Sequence, residues 1–295
     1  MPSSPDSLHQ PILAWYDEHA RDLPWRRTEA SAWSVMVSEF MLQQTPVARV
    51  LPVHEAWLER WPTPAALAAE EPGEAVRAWG RLGYPRRALR LHGAATAICE
   101  RHGGDVPTDH AALLDLPGVG DYTAAAIASF AFGQRHVVLD TNVRRVFARA
   151  VGGVEFPANS VTRAERDLAT SLLPDDAATA ATWAVAVMEL GALVCTAKDP
   201  RCPACPISAQ CAWLAAGKPA YDGPPRKVQG YAGTDRQVRG RLLGVVRDAE
   251  HAVPKAHLDL VWDEPVQRER ALASLLDDGL LVRVPAGDEE WYALP

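Results

Sequence analysis

Apolar residues recur at helical spacing along much of the chain. In residues 31–50 (SAWSVMVSEFMLQQTPVARV) they predict a helix that runs to about Gln44, and Pro46 opens the next helix. A second apolar helical stretch follows the turn PGVG within residues 113–133. Residues 236–295 instead predict three helices and a terminal β-hairpin. The pattern therefore predicts a mainly α protein that ends in a small α/β domain, of winged-helix type.

One charged residue interrupts the first of these helices. Glu39 is the only charge between Ala30 and Ala48, and it lies among apolar residues such as Val37 and Phe40. Glutamate is rarely buried without a partner or a chemical role. The pattern by itself leaves two interpretations open, a surface glutamate and a buried functional carboxyl.

Composition narrows the class of protein. The chain has 295 residues, of which 48% are hydrophobic and 23% charged, and this is enough for one or two globular cores. The N-terminal segment lacks a basic stretch followed by an apolar one, and nowhere do eighteen apolar residues run together. We therefore expect a cytoplasmic protein with no membrane partner. The formal net charge of -7 argues against binding nucleic acid by bulk electrostatics, but it leaves room for a local basic groove.

Four of the five cysteines fall within residues 195–211, CTAKDPRCPACPISAQC. Disulfides are typical of small secreted domains, and zinc prefers two separated pairs of ligands. Four thiolates in one short run, stiffened by three prolines, are instead suited to an iron-sulfur cubane. Composition does not choose between these interpretations. Cys99 lies apart on an apolar helical stretch, where we expect a small core residue.

Two further motifs are suited to polar chemistry. Gly118 and Gly120 permit a tight hairpin, and the helix that follows presents free N–H groups that can bind a phosphate. Farther along, apolar residues 137–139 lead into Asp140 and then a helix. Asp140 is either a helix cap or a functional carboxylate.

Together these motifs resemble the endonuclease III and MutY group of DNA glycosylases. The pattern C-x6-C-x2-C-x5-C resembles the [4Fe-4S] loop of that group, residues 113–133 resemble its helix-hairpin-helix motif, and SEFMLQQT resembles the MutY signature of adenine DNA glycosylases. The resemblance implies a helix-hairpin-helix glycosylase fold, with a six-helix barrel domain and an iron-sulfur cluster domain. It assigns the cluster to four ligands: Cys195, Cys202, Cys205 and Cys211.

The resemblance also implies catalytic roles. Glu39 is expected to protonate the adenine as a general acid and later to activate water, since an adenine anion is a poor leaving group. Asp140 is expected to stay ionised and to stabilise, or attack, the positive charge that develops on the sugar. Tyr122 and Asn142 are expected to assist these two carboxyls.

Further positions match residues that contact DNA or the extruded base in the group. Segment RDLPWR (residues 21–26) matches the N-terminal family segment, and the two glutamines that follow Leu42 match residues that probe the base stack. The expected DNA- or base-binding residues are Arg21, Trp25, Arg26, Leu42, Gln43, Gln44, Gly118, Val119 and Gly120.

Some residues depart from the family pattern. Where strand-cutting members carry a lysine in the hairpin motif, this chain has Tyr122, and no lysine occurs in residues 1–197. Because strand cutting needs an amine that forms a Schiff base, we expect an enzyme without lyase activity. Val185 stands where relatives often carry a glutamine or glutamate that touches adenine, and Thr141 replaces a usual glycine. These two departures put strict adenine selectivity in question.

By analogy with the group, the chain divides into four parts. Residues 27–137 are expected to form the six-helix domain, and residues 1–26 with 138–217 the cluster domain. Residues 218–235 are a predicted linker, and residues 236–295 the small C-terminal domain, which is too short for the Nudix-like domain that MutY proteins commonly carry. Within its last long helix, Gln267, Arg268 and Arg270 are either DNA-reading residues or part of a solvated packing face.

We therefore predict a monomeric adenine DNA glycosylase of base excision repair. Its expected partner is double-stranded DNA with adenine mispaired with 8-oxoguanine or guanine, and its expected product is an abasic site. Two alternatives remain open, a mismatch glycosylase acting on thymine or another base and a non-catalytic iron-sulfur DNA-binding protein. Val185 and Thr141 favour the first alternative, which explains Glu39 poorly, and the second alternative needs no pair of carboxylates such as Glu39 and Asp140.

Overall fold

The computed structural model describes residues 6–223, 230–286 and 289–295. These residues are mainly helical, which confirms the predicted fold class. Their α-helices are α1 Asp6–His19, α2 Ala32–Leu42, α3 Val47–Arg60, α4 Pro64–Ala68, α5 Pro72–Trp79, α6 Arg86–His102, α7 His110–Leu114, α8 Asp121–Phe132, α9 Thr141–Ala150, α10 Arg163–Ser171, α11 Ala177–Leu193, α12 Ala212–Ala215, α13 Asp235–Asp248, α14 Lys255–Asp259 and α15 Pro265–Asp277. Short 3-10 helices cover Pro24–Arg26, Cys202–Ala204 and Ser208–Gln210, and the strands are β1 Val253–Pro254, β2 Val282–Ala286 and β3 Glu289–Ala293.

The chain folds into two compact units. The described part of unit 1 consists of residues 6–39, 108–115 and 119–223, and that of unit 2 of residues 40–107, 116–118, 230–286 and 289–295. The boundary between the two units falls within α2, between Glu39 and Phe40. The domain boundaries expected from the sequence, at residues 26/27 and 137/138, remain a prediction.

The core of unit 1 is built on α1, α9 and α11. Helix α11 is apolar on nearly all sides, so it is buried at the centre, where Trp183 and Leu190 are almost fully covered. Its first turn is capped by the Asp176 carboxylate, which accepts a hydrogen bond from the Thr179 N–H at 2.8 Å. Near its end, Gly191 permits close approach of α9, because a β-carbon at Gly191 would lie 2.7 Å from that of Asn142.

Unit 2 contains the helical segment α3–α6 and the C-terminal domain. Edge-to-face contacts among Trp57, Trp61 and Trp79 fill the core of the helical segment, with ring centroids 4.7 and 5.8 Å apart. The C-terminal domain follows the order α13, β1, α14, α15, β2, β3, and its antiparallel sheet has the strand order β1-β3-β2. Three helices with a terminal hairpin form the winged-helix arrangement that the sequence predicts.

The last long helix of this domain, α15, uses its polar residues internally. Arg270 forms two 2.8 Å hydrogen bonds with the Asp235 carboxylate, and Gln267 donates to the same carboxylate at 2.9 Å. Arg268 forms an ion pair with Asp259 at 3.0 Å. Of the two interpretations of these three residues, the structure therefore favours the packing face.

The C-terminal domain is joined to α5 by hydrogen bonds between arginines and backbone carbonyls. Arg77 donates to the carbonyls of Arg247 and Ala249, and Arg247 donates in return to the Gly80 carbonyl at 2.8 Å. The Gly73 N–H donates to the Pro295 carbonyl at 2.7 Å. Within the described part of the chain, no helix is sufficiently long and apolar to cross a lipid bilayer.

Candidate active site

The first carboxyl of the candidate site is Glu39, on α2 in unit 1. Its side chain is 5% exposed and forms a hydrogen bond with the Tyr122 hydroxyl. Burial raises the pKa of Glu39 to about 7, and the nearby negative charge of Asp140 acts in the same direction. The hydrogen bond from Tyr122 and the positive charge of Arg26 oppose this shift. A substantial fraction of Glu39 therefore holds its proton at neutral pH.

Tyr122 lies in the first turn of α8, directly after the hairpin. Burial and the negative charges of Glu39 and Asp140 raise the pKa of Tyr122 well above its usual value. Its hydroxyl therefore stays protonated and is available as a hydrogen-bond donor to the Glu39 carboxyl.

The second carboxyl, Asp140, caps α9. One carboxylate oxygen accepts the Val143 N–H at 2.6 Å, and the other accepts the Asn142 side-chain amide at 2.7 Å. Burial raises the pKa of Asp140, whereas these hydrogen bonds and the charge of Arg145 oppose the rise by favouring the ionised form. Asp140 is thus a helix cap, and its proximity to Glu39 also makes it a member of a carboxyl pair.

Arg145, one turn along α9, holds Asn142 in place. Its guanidinium donates to the Asn142 side-chain oxygen at 2.7 Å, to the Gly191 carbonyl at 2.6 Å and to the Cys195 carbonyl at 2.7 Å. The amide of Asn142 is therefore oriented with its nitrogen toward Asp140. The same arginine ties this pair to the start of the cysteine loop.

A buried ion cluster, not identified from the sequence, lies beside these groups. Glu189 on α11 is fully buried and accepts hydrogen bonds from Arg21 at 2.6 and 2.7 Å and from Arg26 at 2.9 Å. Burial alone would raise the pKa of Glu189, but the hydrogen bonds from the two arginines outweigh it and lower the pKa to about 2. Trp25, between the arginines in sequence, is 6% exposed.

A signal for Glu189 exists in the sequence. It is the only charged residue in α11, just as Glu39 is in α2. A lone charge among apolar neighbours therefore marks Glu189 as it marks Glu39, but sequence alone does not show that the partners of Glu189 are Arg21 and Arg26.

The four cysteines of the loop line one small pocket of unit 1, whose volume is about 20 Å³. None of them forms a disulfide. Beside them lies Arg149, which is 1% exposed and donates to the Cys195 sulfur at 3.4 Å and to the Thr196 carbonyl at 2.7 Å. Its guanidinium also stacks 4.7 Å from the ring centroid of Trp213.

The remaining predicted residues fall into two groups. Leu42, Gln43, Gln44 and Gly118 belong to unit 2, whereas Val119 and Gly120 belong to unit 1. Gly118 has φ +79°, and a β-carbon there would lie 2.7 Å from that of Arg90, so the turn requires glycine. Gly120 is the N-cap of α8.

Comparisons with known proteins identify the family of the chain. Residues 37–169 match the HhH-GPD superfamily of base excision DNA repair proteins. The chain is 56% identical over 278 residues to an adenine DNA glycosylase of Mycolicibacterium smegmatis, which covers 94% of this chain and 93% of that relative. The chain therefore belongs to the adenine DNA glycosylase family of base excision repair enzymes, which confirms the predicted family and enzyme class.

Solved structures show the same fold. A thermostable thymine-DNA glycosylase superposes with a TM-score of 0.65 at 27% identity, over 72% of this chain and 97% of that chain. A non-covalent endonuclease III-DNA complex superposes with a TM-score of 0.61 at 21% identity, over 74% of this chain and 99% of that chain.

Proposed function

We propose that this protein releases adenine from mispairs with 8-oxoguanine or guanine in double-stranded DNA by hydrolysis, and that it lacks lyase activity. The observation that supports the proposal is the pair of carboxyls in unit 1. Glu39 is buried with a pKa raised to about 7, while Asp140 accepts hydrogen bonds that favour its ionised form. Pairs of carboxyls with different environments are typical of acid-assisted glycosidic cleavage.

In the proposed reaction, Glu39 donates its proton to a ring nitrogen of the extruded adenine. The glycosidic bond then breaks, and its electron pair leaves with the neutral base. The negative charge of Asp140 stabilises the positive charge on the sugar. The ionised Glu39 next takes a proton from a water molecule, whose oxygen bonds to the anomeric carbon to give the abasic site.

Neighbouring groups hold these carboxyls in place. Tyr122 hydrogen-bonds Glu39, and Asn142 donates to Asp140 at 2.7 Å, so both are positioning residues in this proposal. Arg21, Trp25 and Arg26 are proposed to contact the extruded base. The proposed DNA contacts are Leu42, Gln43, Gln44, Gly118, Val119 and Gly120. We also propose that the six-helix domain and the cluster domain meet at residues 26/27 and 137/138.

We further propose that Cys195, Cys202, Cys205 and Cys211 hold a [4Fe-4S] cluster. Zinc sites usually draw their ligands from two separated pairs, whereas this run has one Cys-x2-Cys pair flanked by single cysteines at gaps of six and five residues. A cubane instead takes one thiolate at each corner, which suits four cysteines arranged around one pocket.

The charge of Arg149 supports this assignment. Its guanidinium is buried against carbonyls, an aromatic ring and the Cys195 sulfur, and it forms no ion pair with a carboxylate of the described chain. A buried cation is costly without a negative partner, and cluster thiolates supply one. When bound, the cluster crosslinks the loop, and no step of base release passes through it.

The decisive experiment measures base release from end-labelled duplexes. Adenine is placed opposite 8-oxoguanine, guanine or thymine, and each product is analysed with and without hot alkali. We expect breaks on the adenine strand only after alkali. Breaks without alkali would overturn the absence of lyase activity, and release of thymine instead of adenine would favour the mismatch-thymine alternative.

The role of Glu39 is tested in the same assay with the variant Glu39→Gln. Because general acid catalysis contributes about 10²- to 10⁴-fold, single-turnover release should fall by at least about 10²-fold while duplex binding is retained. Glu29→Gln, at an exposed glutamate of the same unit, is the matched control and should release adenine at the normal rate. Normal release by Glu39→Gln would exclude this carboxyl as the acid.

A further inference from the structure

Glu189 lies at the centre of the buried ion cluster of unit 1 and has no part in the reaction steps of the proposed function. Its side chain is 0% exposed, and both of its carboxylate oxygens are occupied. One oxygen accepts the backbone N–H of Arg21 at 3.2 Å and its Nε at 2.6 Å. The other accepts the Nη2 of Arg21 at 2.7 Å and that of Arg26 at 2.9 Å. Four charge-assisted bonds to one buried carboxylate fix the positions of both arginines.

The same carboxylate holds both ends of one short segment. Arg21 precedes the 3-10 helix Pro24–Arg26, and Arg26 is the last residue of that helix. Trp25, in the middle of the helix, is 6% exposed. A single side chain of α11 therefore determines where the guanidinium of Arg26 lies.

Arg26 has donor capacity that Glu189 does not use. Its Nη1 atom is buried and donates to no acceptor among the described residues. Its one ion pair in that part of the chain is the pair with Glu189. The cluster joins two guanidinium groups to one carboxylate, so one positive charge has no carboxylate of its own within it. A buried guanidinium with an unused donor is attracted to any other carboxylate within reach.

The carboxyl within range of this charge is Glu39. Burial raises the pKa of Glu39, and the positive charge of Arg26 is among the groups that oppose the rise. Burial also raises the pKa of Asp140, but there the opposing charge is that of Arg145. The titratable and charged groups around Arg26 and Glu39 are Tyr16 and Asp17 on α1, Arg21, Tyr122 on α8, Asp140 before α9 and Glu189 on α11. In this set Arg26 is bonded to Glu189, and Glu39 is its alternative partner.

We propose that Glu189 is a positioning residue of base release, which acts by keeping Arg26 paired and away from Glu39. An ion pair between Arg26 and Glu39 would stabilise the ionised carboxylate, and the proton that the departing adenine needs would be lost. Glu189 thereby preserves the acid form of Glu39 without touching the substrate. This role rests on the proposed function, because it takes Glu39 as the acid.

The pH profile of single-turnover adenine release tests this role with the variant Glu189→Gln. Release requires protonated Glu39, so it is fast below the pKa of about 7 and slows as pH rises through it. An opposite charge nearby lowers a carboxyl pKa by about 1–3 units, so the basic limb of the variant should move down by at least about one pH unit. At pH 8 release should therefore be about tenfold slower than in the wild type. A basic limb at the wild-type position would overturn the proposal.

Glu165→Gln is the matched control. It removes the charge of another ion-paired glutamate of unit 1, whose partner is Arg144 at 2.8 Å. The stability of this variant should fall, but its basic limb should stay at the wild-type position. An equal shift of the limb in both variants would assign the effect to the loss of any ion pair and would exclude a specific role for Glu189.

A second change tests whether Arg26 carries the effect. In the double variant Glu189→Gln with Arg26→Met, no guanidinium is left to pair with Glu39, so the basic limb should return to the wild-type position or above it. Only the position of the limb is compared, since Arg26 is also a proposed base contact and its loss lowers the maximal rate. A limb that stays as low as in Glu189→Gln would overturn the proposal.

Glu189→Asp decides the question if Glu189→Gln does not fold. Aspartate keeps the negative charge, but its carboxylate is one methylene shorter and holds Arg26 less firmly. The basic limb should then move in the same direction by a smaller amount. A limb at the wild-type position in folded Glu189→Asp would contradict the proposed role.

Urea unfolding at pH 8 gives a readout that does not depend on base release. Because burial raises the pKa of Glu39, the folded protein is destabilised when this group ionises, and Glu39→Gln should stabilise it. In the Glu189→Gln background the folded-state pKa is lower, so the gain in the folding equilibrium constant should be about tenfold smaller. Equal gains in the two backgrounds would overturn the proposal. If the wild type releases no adenine but the gains differ in this way, the proposed function fails while the coupling between Glu189 and Glu39 stands.

Discussion

At the scale of single residues, the environment of Glu39 links stability to pH. Its pKa is raised from an ordinary 4.5 to about 7 by burial, so the folded protein holds a proton that the unfolded chain releases between these values. Since the folded state binds more protons in this window, stability falls as pH rises through it. Ionised Glu39 is thus a source of instability near neutral pH.

This linkage predicts that Glu39→Gln stabilises the protein at alkaline pH. At pH 8 the free energy of unfolding should exceed that of the wild type by up to about 3 kcal/mol, since each pKa unit corresponds to about 1.4 kcal/mol. At pH 4 the Glu39 carboxyl is mostly protonated in both the folded and the unfolded protein, so the difference in the free energy of unfolding should largely disappear. Urea unfolding at the two pH values measures this, and equal stability at pH 8 would contradict the raised pKa.

Asn142 is predicted to set the protonation state of Asp140. Asn142→Ala removes the donor at 2.7 Å that favours the ionised carboxylate, so the pKa of Asp140 should rise. A charge-assisted hydrogen bond is worth about 1.5–3 kcal/mol, so the acidic limb of the pH profile of release should move upward by about one pH unit. Asn159→Ala, at an exposed asparagine of the same unit, should leave the profile in place. An unmoved acidic limb in Asn142→Ala would remove Asn142 from this role.

At the scale of elements, helix packing places these groups. Helices α9 and α11 approach closely because Gly191 has no side chain, and Arg145 and Arg149 project from consecutive turns of α9 toward the cysteine loop. Helix α9 therefore follows its capping residue Asp140 and also carries the two arginines that hold the cysteine loop. Periodicity predicts that α9 is a helix, but it does not predict which carbonyls its arginines reach.

Gly191→Ala should disrupt this packing. The added β-carbon would lie 2.7 Å from that of Asn142 and 2.9 Å from its carbonyl oxygen, so the helices must separate. We expect a loss of about 1–3 kcal/mol in the free energy of unfolding, typical of overpacking. The same change at Gly244, where the nearest atom would be 3.7 Å away, should instead be neutral or stabilising by up to about 1 kcal/mol. Equal effects at the two glycines in thermal unfolding would show that the close approach is unimportant.

At the scale of the whole molecule, the cysteine loop is expected to depend on the proposed [4Fe-4S] cluster. Cys202→Ser is expected to lose most of the bound iron and sulfide and the broad visible absorption of the purified protein, because four thiolates are needed to complete the ligand set. Cys99→Ser serves as the control, since Cys99 lies outside the cysteine pocket. Iron and acid-labile sulfide analysis distinguishes the outcomes, and stoichiometric zinc in the wild type would refute the cluster.

The amino-acid sequence by itself determined the mainly helical fold and the winged-helix order of the C-terminal residues, and it singled out Glu39 as a candidate functional carboxyl. It did so because each of these rests on local information, namely helical periodicity, turn residues and a lone charge among apolar neighbours. The density of cysteines in residues 195–211 is likewise local information, and it is sufficient to identify that segment as a candidate ligand loop.

Only the tertiary structure decided which partners the charged groups find. Glu189 meets Arg21 and Arg26 across 168 and 163 residues, and Arg145 reaches the Cys195 carbonyl across 50. It also decided that Asp235 and Asp259 engage the polar residues at the start of α15. Periodicity reports whether a side chain is buried, whereas the identity of its partner depends on how distant segments pack, and that is a property of the folded chain.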